Sequence, residues 1–222
     1  MSTKIIIPAR AGSKGFPGKN VRLFDHTASI IPTSYKKQVT VSTDDDTVAA
    51  MAKSYNYSIH NRSEQSASDT ADVKSVVQEI VTPEFCEPRD VIIMLYLTYP
   101  ERTWKQVESM YTEFVSKQAK SMLCRQPVKT HPCLVMLETP GGTGKQVYPH
   151  RHYQRQQYPP CFEISHYICM FRAGEVTKLG KNMYNKNTLY HSIDRVVDVD
   201  SELDYKQYIE PLNTIQPNEY KN

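Results

Sequence analysis

The chain has 222 residues, which is enough for one well-packed core with a small appended element. With 39% hydrophobic and 23% charged residues and no apolar run of membrane-spanning length, its composition is that of a soluble globular protein. A formal charge of only +3, without a dense run of Lys or Arg, argues against nucleic acid and membrane partners.

Apolar patterns in the first 127 residues predict strands and helices in alternation. Runs typical of buried strands occur at residues 5–7, 38–43, 91–97 and 121–124. Apolar side chains recur at helical intervals over residues 48–55, 73–80 and 104–114. This alternation predicts an α/β fold, an open, mostly parallel, doubly wound sheet with helices on both faces. In such sheets ligands lie beyond the carboxyl ends of the strands.

Polar residues stand at the predicted helix starts. Residues 44–46 are all Asp and are expected to cap the helix over 48–55, because carboxylates accept hydrogen bonds from the free N–H groups there. Ser68 or Asp69 is expected to cap the helix over 73–80.

The sequence changes character between residues 127 and 160, where prolines and glycines replace the periodic patterns. Taken alone, this composition favours an irregular surface excursion. Regular patterns return with a strand predicted at 163–171 and a helix at 201–209. We therefore divide the chain into an α/β core over residues 1–127, an arm over 128–160 and a return to the core over 161–222.

A glycine-rich loop directly follows the first predicted strand. It reads Pro8-Ala9-Arg10-Ala11-Gly12-Ser13-Lys14-Gly15-Phe16-Pro17-Gly18-Lys19-Asn20. Its glycines permit positive φ and close approach of a ligand, and exposed backbone N–H groups form an anion site. Arg10, Lys14 and Lys19 add positive charge, so the loop suits a polyphosphate. The alternative is an ordinary surface loop.

The loop matches neither of the two common phosphate-binding motifs. A Walker A loop needs Ser or Thr after Gly-Lys, whereas Asn20 follows Lys19 here. The dinucleotide motif G-x-G-x-x-G is missing because the glycines are three residues apart.

Two acidic residues near the C-terminus suggest a metal site. Asp198 and Asp200 are two residues apart, so in an extended segment both side chains point to the same side. Two carboxylates beside a polyphosphate suit a hard cation such as Mg²⁺. The alternative is a helix-capping cluster formed by Asp200 or Ser201 with Glu202 or Asp204.

The glycine loop resembles the N-terminal signature of the CMP-sialic acid synthetases (acylneuraminate cytidylyltransferases), I-P-A-R-x-x-S-K-G-x-P-x-K-N. Five further segments resemble the family's motifs V-S-T-D, R-P-x-x-x-A-S-D-T, T-S-P-L-R-T, R-Q-x-x-P-x-x-F and D-I-D-T-x-x-D. In the same order, these segments are residues 41–45, 62 with 67–71, 98–103, 155–157 with 162, and 198–204. Six matches in order over nearly the whole chain are far more specific than any one.

The resemblance implies that the anomeric hydroxyl of a sugar acid attacks the α-phosphate of CTP and that pyrophosphate leaves. The residues implied in catalysis are Arg10, Lys19, Asp198 and Asp200, the last two as ligands of Mg²⁺ or Mn²⁺. Those implied in nucleotide binding are Arg10, Ser13, Lys14, Lys19, Asn20, Arg62 and Ala71. Those implied in substrate binding are Tyr96, Thr98, Arg155 and Phe162.

The resemblance also implies a homodimer in which the arm over residues 128–160 enters the partner's active site and delivers Arg155. Taken alone, the alternative for Arg155 is a solvated cation in a basic stretch. Arg62, implied to contact cytosine, is equally explained by a surface ion pair with Glu64.

The sugar side departs from the family pattern. Tyr96 stands in place of Gln, Tyr99 in place of Ser, and Leu134 in place of a sugar-binding Lys, while residues 163–167 replace an R-P-N-G-A-like segment. The acceptor is therefore left open between a sialic or related nonulosonic acid and another 2-keto sugar acid such as KDO. A non-catalytic nucleotide-binding homologue is a third possibility, against which the retained Lys19 and aspartates argue.

The cysteines indicate the compartment. They are odd in number and show no C-x-x-C spacing, which argues against a zinc site. Scattered thiols are typical of a reducing environment, so we expect a cytoplasmic protein.

Overall fold

A seven-stranded, mostly parallel sheet forms the centre of the computed structural model, which describes residues 2–12, 15–68 and 70–214, with 209–214 as backbone alone. The strands are β1 (Thr3–Ala9), β2 (Val39–Thr43), β3 (Ser58–Asn61), β4 (Val91–Met94), β5 (Ser121–Pro127), β6 (Met136–Thr139), β7 (Thr143–Gln146), β8 (Phe162–Arg172) and β9 (Leu189–Ser192). Seven of the described strands form this sheet, and β6 and β7 form a separate hairpin. The α-helices are α1 (Lys19–Ala28), α2 (Asp46–Ser54), α3 (Glu64–Ala67), α4 (Val73–Ile80), α5 (Trp104–Ser116) and α6 (Glu202–Thr214).

The order of strands across the main sheet is β3-β2-β1-β4-β8-β5-β9. Strand β8 runs antiparallel to β4 and β5, and the other neighbouring pairs in this sheet are parallel. The carboxyl ends of β1, β2 and β4 therefore lie at one edge, together with the amino end of β8.

Both faces of the sheet are covered, as the doubly wound prediction requires. Ile5 and Ile7 of β1 pack in one hydrophobic cluster and Ile6 in another, and all three are fully buried. Helices α1, α2 and α5 supply the first cluster and α4 the second. Burial of a side chain such as Phe24 or Phe114 contributes about 1.5–3 kcal/mol. The predicted α/β fold class is confirmed.

Two local predictions at the edges of elements are wrong. Strand β4 ends at Met94, not at residue 97, because the chain leaves the ladder there while its apolar side chains stay buried. Helix α4 is capped by Asp72, whose side chain accepts from the backbone N–H of Ser75, and not by Ser68. The other expected cap, Asp69, lies outside the described residues. For α2 the cap is Asp45, within the predicted acidic run.

Strand β8 contains a bulge next to the carboxyl end of β4. Leu123 of β5 pairs with Cys169, but the following Cys124 pairs with Ser165, so residues 166–168 are additional in β8. Because Met94 at the end of β4 pairs with Cys169, the bulge lies just beyond that end.

The arm contains a hairpin that its composition did not reveal. Strands β6 and β7 pair antiparallel in a sheet of their own, and the turn between them places Gly141 and Gly142 at φ +86° and +75°. These positive values favour glycine because it has no Cβ.

The division of the chain at residues 127 and 160 stays a prediction. None of the described helices has the length and apolar character needed to cross a bilayer.

Candidate active site

Two adjoining cavities lie at the edge where β1, β2 and β4 end. The first, here called the basic cavity, has a volume of about 300 Å³ and is lined by Pro8, Arg10, Lys19, Asn20, Arg62, Ala71, Val73, Val76, Tyr96, Leu97 and Thr98. The second, here called the acidic cavity, has a volume of about 470 Å³ and is lined by Lys19, Ala71, Asp72, Val73, Tyr96, Thr98, Tyr99, His166, Lys181, Asn182, Asp198 and Asp200. Five residues line both, and Lys19 is the cation among them.

Hydrogen bonds within the chain anchor the glycine loop. The Ala11 N–H donates to Asp44 Oδ1 at 2.7 Å, and Asn20 Nδ2 donates to the Arg10 carbonyl at 2.7 Å. Gly12 and Gly18 have φ of +73° and +69°, so the loop needs glycine at both positions. Ser13 and Lys14 lie outside the described residues, so their predicted contacts with a nucleotide stay predictions.

Backbone carbonyls hold the two arginines of the basic cavity. Arg10 Nη1 donates to the Ser68 carbonyl at 3.2 Å. Arg62 donates from Nε to the Ser42 carbonyl and from Nη1 to the Ser66 carbonyl, both at 3.3 Å. Burial lowers the pKa of Arg62, while the Asp44 carboxylate acts in the opposite direction. Both guanidiniums therefore keep a set orientation at the cavity wall.

Lys19 joins the glycine loop to the aspartate segment. Its Nζ donates to Asp200 Oδ1 at 2.8 Å, across 181 positions of sequence. The Lys19 side chain is 15% exposed, whereas that of Asp200 is 67% exposed. Lys19 is thus held between the two cavities while Asp200 remains open to solvent and ligands.

Asp198 and Asp200 project from the same side of an extended segment, as predicted. The residue between them, Val199, is fully buried, and its N–H donates to the Thr98 carbonyl at 2.8 Å. Because side chains alternate along an extended chain, burial of Val199 turns both carboxylates toward the cavity. The Tyr99 hydroxyl donates to Asp198 Oδ2 at 2.8 Å.

The electrostatics of Asp198 are those of a carboxylate in a crowded cavity. Its side chain is open to the cavity, yet the surrounding protein excludes much of the water, and this desolvation raises the pKa of Asp198. The charge of Asp200 raises this pKa further, while hydrogen bonds from Thr98 and Tyr99 and the charge of Lys19 oppose the shift. A nearby cation would relieve the repulsion between the two carboxylates.

The aspartate pair fits a magnesium ion that is shared with phosphates. No group of three or more His, Cys, Asp and Glu side chains in the described part of the chain is arranged to hold a metal. Magnesium is commonly bound by one or two carboxylates together with substrate phosphates and water. Asp198 and Asp200 supply two such carboxylates, and the basic cavity lies beside them.

The capping alternative applies to the neighbours of the pair. Asp204 Oδ2 accepts from the Ser201 N–H at 2.8 Å and from the Ser201 hydroxyl at 2.7 Å, while Ser201 Oγ accepts from the Asp204 N–H at 3.2 Å. These reciprocal bonds close the start of α6. The cap therefore leaves the side chains of Asp198 and Asp200 at the cavity.

The predicted substrate residues divide into two groups. Tyr96 and Thr98 line both cavities. Arg155 lines a separate cavity of about 570 Å³ in the arm, with His131 and Tyr158 among its walls. The Phe162 ring lies 4.2 Å from the guanidinium of Arg125, and neither Arg155 nor Phe162 lines the basic or the acidic cavity.

Several residues of the acidic cavity belong to none of the sequence motifs. His166, Lys181 and Asn182 come from the β8 bulge and from the segment between β8 and β9. No local pattern predicts them, because only the sheet order brings these segments to the ends of β1 and β4.

A buried arginine holds the cavity wall in place. Arg102 is 1% exposed and donates to the carbonyls of Tyr96 at 2.9 Å and Tyr167 at 2.5 Å, and to Thr27 Oγ1 at 3.0 Å. Burial lowers the pKa of Arg102 to about 10, which still leaves the guanidinium charged at neutral pH. Arg102 thereby ties the segment after β4 to the bulge of β8.

Comparison with known proteins identifies the family. A family model described as cytidylyltransferase matches residues 4–214. The chain belongs to the cytidylyltransferase family. It is therefore a nucleotidyltransferase, and the family resemblance seen in its sequence is confirmed.

Similar proteins cover nearly the whole chain at modest identity. The chain is 27% identical over 213 residues to post-translational flagellin modification protein B of Campylobacter coli, covering 90% of each chain. It is 28% identical over 217 residues to CMP-N,N'-diacetyllegionaminic acid synthase of Legionella pneumophila, covering 90% of this chain and 91% of the relative. A solved CMP:2-keto-3-deoxy-manno-octonic acid synthetase complexed with CTP shares the fold, with a TM-score of 0.70 and 14% identity over 97% of this chain and 100% of that one.

Proposed function

We propose that this cytidylyltransferase transfers CMP from CTP to the anomeric hydroxyl of a nonulosonic acid, giving a CMP-sugar and pyrophosphate. The observation that carries the proposal is the pairing of a basic cavity with an acidic cavity across Lys19. A relative named as a CMP-N,N'-diacetyllegionaminic acid synthase supports the acceptor class. The CTP complex of a similarly folded synthetase supports the nucleotide.

The basic cavity is proposed to bind CTP. Arg10 and Lys19 place positive charge beside the anchored glycine loop, which suits the triphosphate. Arg62, held by two carbonyls in the cavity wall, offers donors to the cytosine O2, and the backbone near Ala71 offers acceptors to the amino group. Asn20 clamps the loop through one amide hydrogen and keeps its other hydrogen for a phosphate or the ribose.

The chemical step is proposed to depend on positioning and charge neutralisation. Asp198 and Asp200 would hold Mg²⁺ or Mn²⁺, which when bound neutralises phosphate charge and lowers the pKa of the attacking hydroxyl. Lys19 and Arg10 stabilise negative charge that develops on the phosphates and the leaving pyrophosphate. The bond from Lys19 to Asp200 keeps this ammonium group at the boundary where the two substrates meet.

The acceptor is proposed to enter the acidic cavity beside Tyr96 and Thr98. Arg155 and Phe162 are proposed to reach this cavity from a second copy of the chain. Support comes from the arm, which exposes large apolar side chains that a monomer would leave in water. They include Leu134, Met136, Leu137 and Tyr153, which are 51%, 69%, 61% and 95% exposed.

The proposed location is the cytoplasm. All five cysteines are free thiols, and three of them, Cys124, Cys133 and Cys169, are buried. Unpaired thiols without a disulfide framework are typical of a reducing compartment.

Release of pyrophosphate tests the proposed function directly. The enzyme is incubated with Mg²⁺, each of CTP, UTP, ATP and GTP, and a panel of N,N'-diacetyllegionaminic acid, N-acetylneuraminic acid and KDO. We expect turnover with CTP and at least one nonulosonic acid. Faster turnover with KDO would favour the alternative acceptor, and tight CTP binding without any turnover would favour a non-catalytic nucleotide-binding protein.

Mixing two inactive variants tests the shared site. Arg155→Ala and Asp200→Ala are each expected to be inactive, and a mixture is expected to recover part of the activity. A heterodimer contains one site in which both residues are intact. Light scattering at micromolar concentration should show a dimer, whereas a monomer would refute both the interface and the delivery of Arg155.

A further inference from the structure

The outer wall of the acidic cavity is formed by residues to which the family resemblance assigns no role. Lys181 and Asn182 come from the segment between β8 and β9, and His166 comes from the bulge of β8. They face the same cavity as the proposed metal ligands Asp198 and Asp200.

Among the described residues, the ion-pair partner of Lys181 is a distant one. Its Nζ lies 3.8 Å from Asp72 Oδ2, near the outer limit of an ion pair, and its side chain is 83% exposed. The other oxygen of Asp72 caps α4 by accepting from the Ser75 N–H at 2.9 Å. Lys181 is therefore available to an anionic ligand.

The wall that carries Lys181 is held to the β8 bulge. His166 Nε2 lies 2.9 Å from the Asn182 carbonyl, so Nε2 carries the hydrogen and donates it. The His166 ring packs edge-on against Tyr96, with 5.6 Å between ring centroids. Because Arg102 holds both Tyr96 and the neighbouring Tyr167, Lys181 is placed next to a braced part of the cavity.

The chemistry of the acceptor requires a cation at this place. In a 2-keto sugar acid the carboxylate is bonded to the anomeric carbon, so it enters the cavity together with the attacking hydroxyl. There it meets Asp72, Asp198 and Asp200; the proposed metal would offset the charge of the last two, whereas Asp72 repels a further negative charge. Lys19 is already bonded to Asp200 at 2.8 Å, and Arg155 of the same chain lies in the arm cavity.

We propose that Lys181 binds the carboxylate of the acceptor sugar acid from within the same chain. This inference rests on the proposed function and adds a residue that determines acceptor specificity. A carboxylate accepts several hydrogen bonds, so an arginine from a second subunit and Lys181 can bind it together.

A comparison of acid and amide acceptors tests the inference. Pyrophosphate release is measured with the best nonulosonic acid and with its C1 carboxamide, for the wild type, Lys181→Ala and Lys181→Arg. The matched control is Lys178→Ala, because Lys178 lies three residues earlier, is 61% exposed, pairs with Glu175 at 3.0 Å and lines neither cavity.

We expect the wild type to prefer the acid over the amide by about 10- to 100-fold, the range of one charged hydrogen bond. Lys181→Ala should lose most of this preference because turnover of the acid falls while turnover of the amide stays the same. The KM for CTP should change less than about twofold. Lys181→Arg should restore part of the preference, and Lys178→Ala should match the wild type.

Two results would overturn the inference while the proposed function stands. One is an unchanged acid preference in Lys181→Ala, which would show that another group binds the carboxylate. The other is an equal loss on acid and amide, which would indicate a structural role. Absence of turnover by the wild type with every sugar acid would instead overturn the proposed function, and the inference with it.

Discussion

The basic and acidic cavities are neighbours, yet they are built in different ways. The basic cavity takes three of its lining residues from one short stretch, the loop after β1 and the first turn of α1, and its arginines are held by backbone carbonyls. The acidic cavity shares Lys19 and residues near 71–73 and 96–98 with it, and adds side chains from three segments far along the chain: the β8 bulge, residues 181–182 and residues 198–200. A phosphate site needs a particular backbone conformation, whereas an acceptor site needs particular side chains on whichever segments are near.

The difference between the two cavities predicts which substrate each substitution affects. A change confined to the basic cavity should alter nucleotide binding, and a change confined to the acidic cavity should alter the acceptor or the chemical step. Lys19 lines both cavities, so its substitution should affect both.

The largest effect is expected for Asp200→Asn, which should abolish activity that depends on Mg²⁺. An amide is an uncharged and weaker ligand for a hard dication than a carboxylate. Initial rates of pyrophosphate release are measured against Mg²⁺ concentration, with the exposed Asp194→Asn as the control. Full activity with an unchanged Mg²⁺ dependence in Asp200→Asn would rule out the acidic cavity as the metal site.

Lys19→Ala should reduce kcat by about 100-fold or more, because an ammonium group that stabilises developing phosphate charge is lost. The melting temperature should change little, since the bond to Asp200 is made at a largely exposed carboxylate. Lys105→Ala, an exposed substitution on α5, is the control. Wild-type kcat in Lys19→Ala would show that Lys19 has no role in the chemical step and does not link the functions of the two cavities.

Arg62→Ala should weaken CTP binding by about 10-fold or more, the value of a charged hydrogen bond to the base. KM for the acceptor should stay unchanged, because Arg62 lines the basic cavity and not the acidic one. Calorimetry with CTP measures the dissociation constant, and the exposed Arg89→Ala serves as the control. An unchanged CTP affinity would show that the base is bound elsewhere.

The smallest effect is expected for Tyr99→Phe, which removes the hydrogen bond to Asp198 and keeps the ring that packs edge-on against Tyr167. The loss of one neutral donor predicts a reduction of kcat by about 2- to 10-fold with unchanged KM for CTP. Tyr57→Phe is the contrasting control, because the Tyr57 hydroxyl donates to the Ala28 carbonyl inside the core. Tyr57→Phe should lower the melting temperature and leave kcat unchanged. A lower kcat in Tyr57→Phe and an unchanged kcat in Tyr99→Phe would contradict a role for the Tyr99 hydroxyl at Asp198.

The edges of elements show why local patterns predict a fold better than its details. The expected cap at Ser68 or Asp69 failed because residues 64–67 form their own helix α3, capped by Ser63, and the chain turns again before Asp72 caps α4. The apolar run at residues 91–97 continues past β4 because Leu95 and Leu97 are buried without belonging to the strand. Burial and hydrogen bonding to a ladder are different properties, and a hydrophobic pattern reports burial alone.

The sequence by itself determined the alternation of strands and helices, the glycine loop and the paired aspartates, because each of these depends on residues a few positions apart. Only the tertiary structure decided that Lys19 meets Asp200 across 181 positions, and that His166 and Lys181 complete the acidic cavity. Such contacts depend on the order of the strands and on the bulge of β8, which arise from packing over the whole chain.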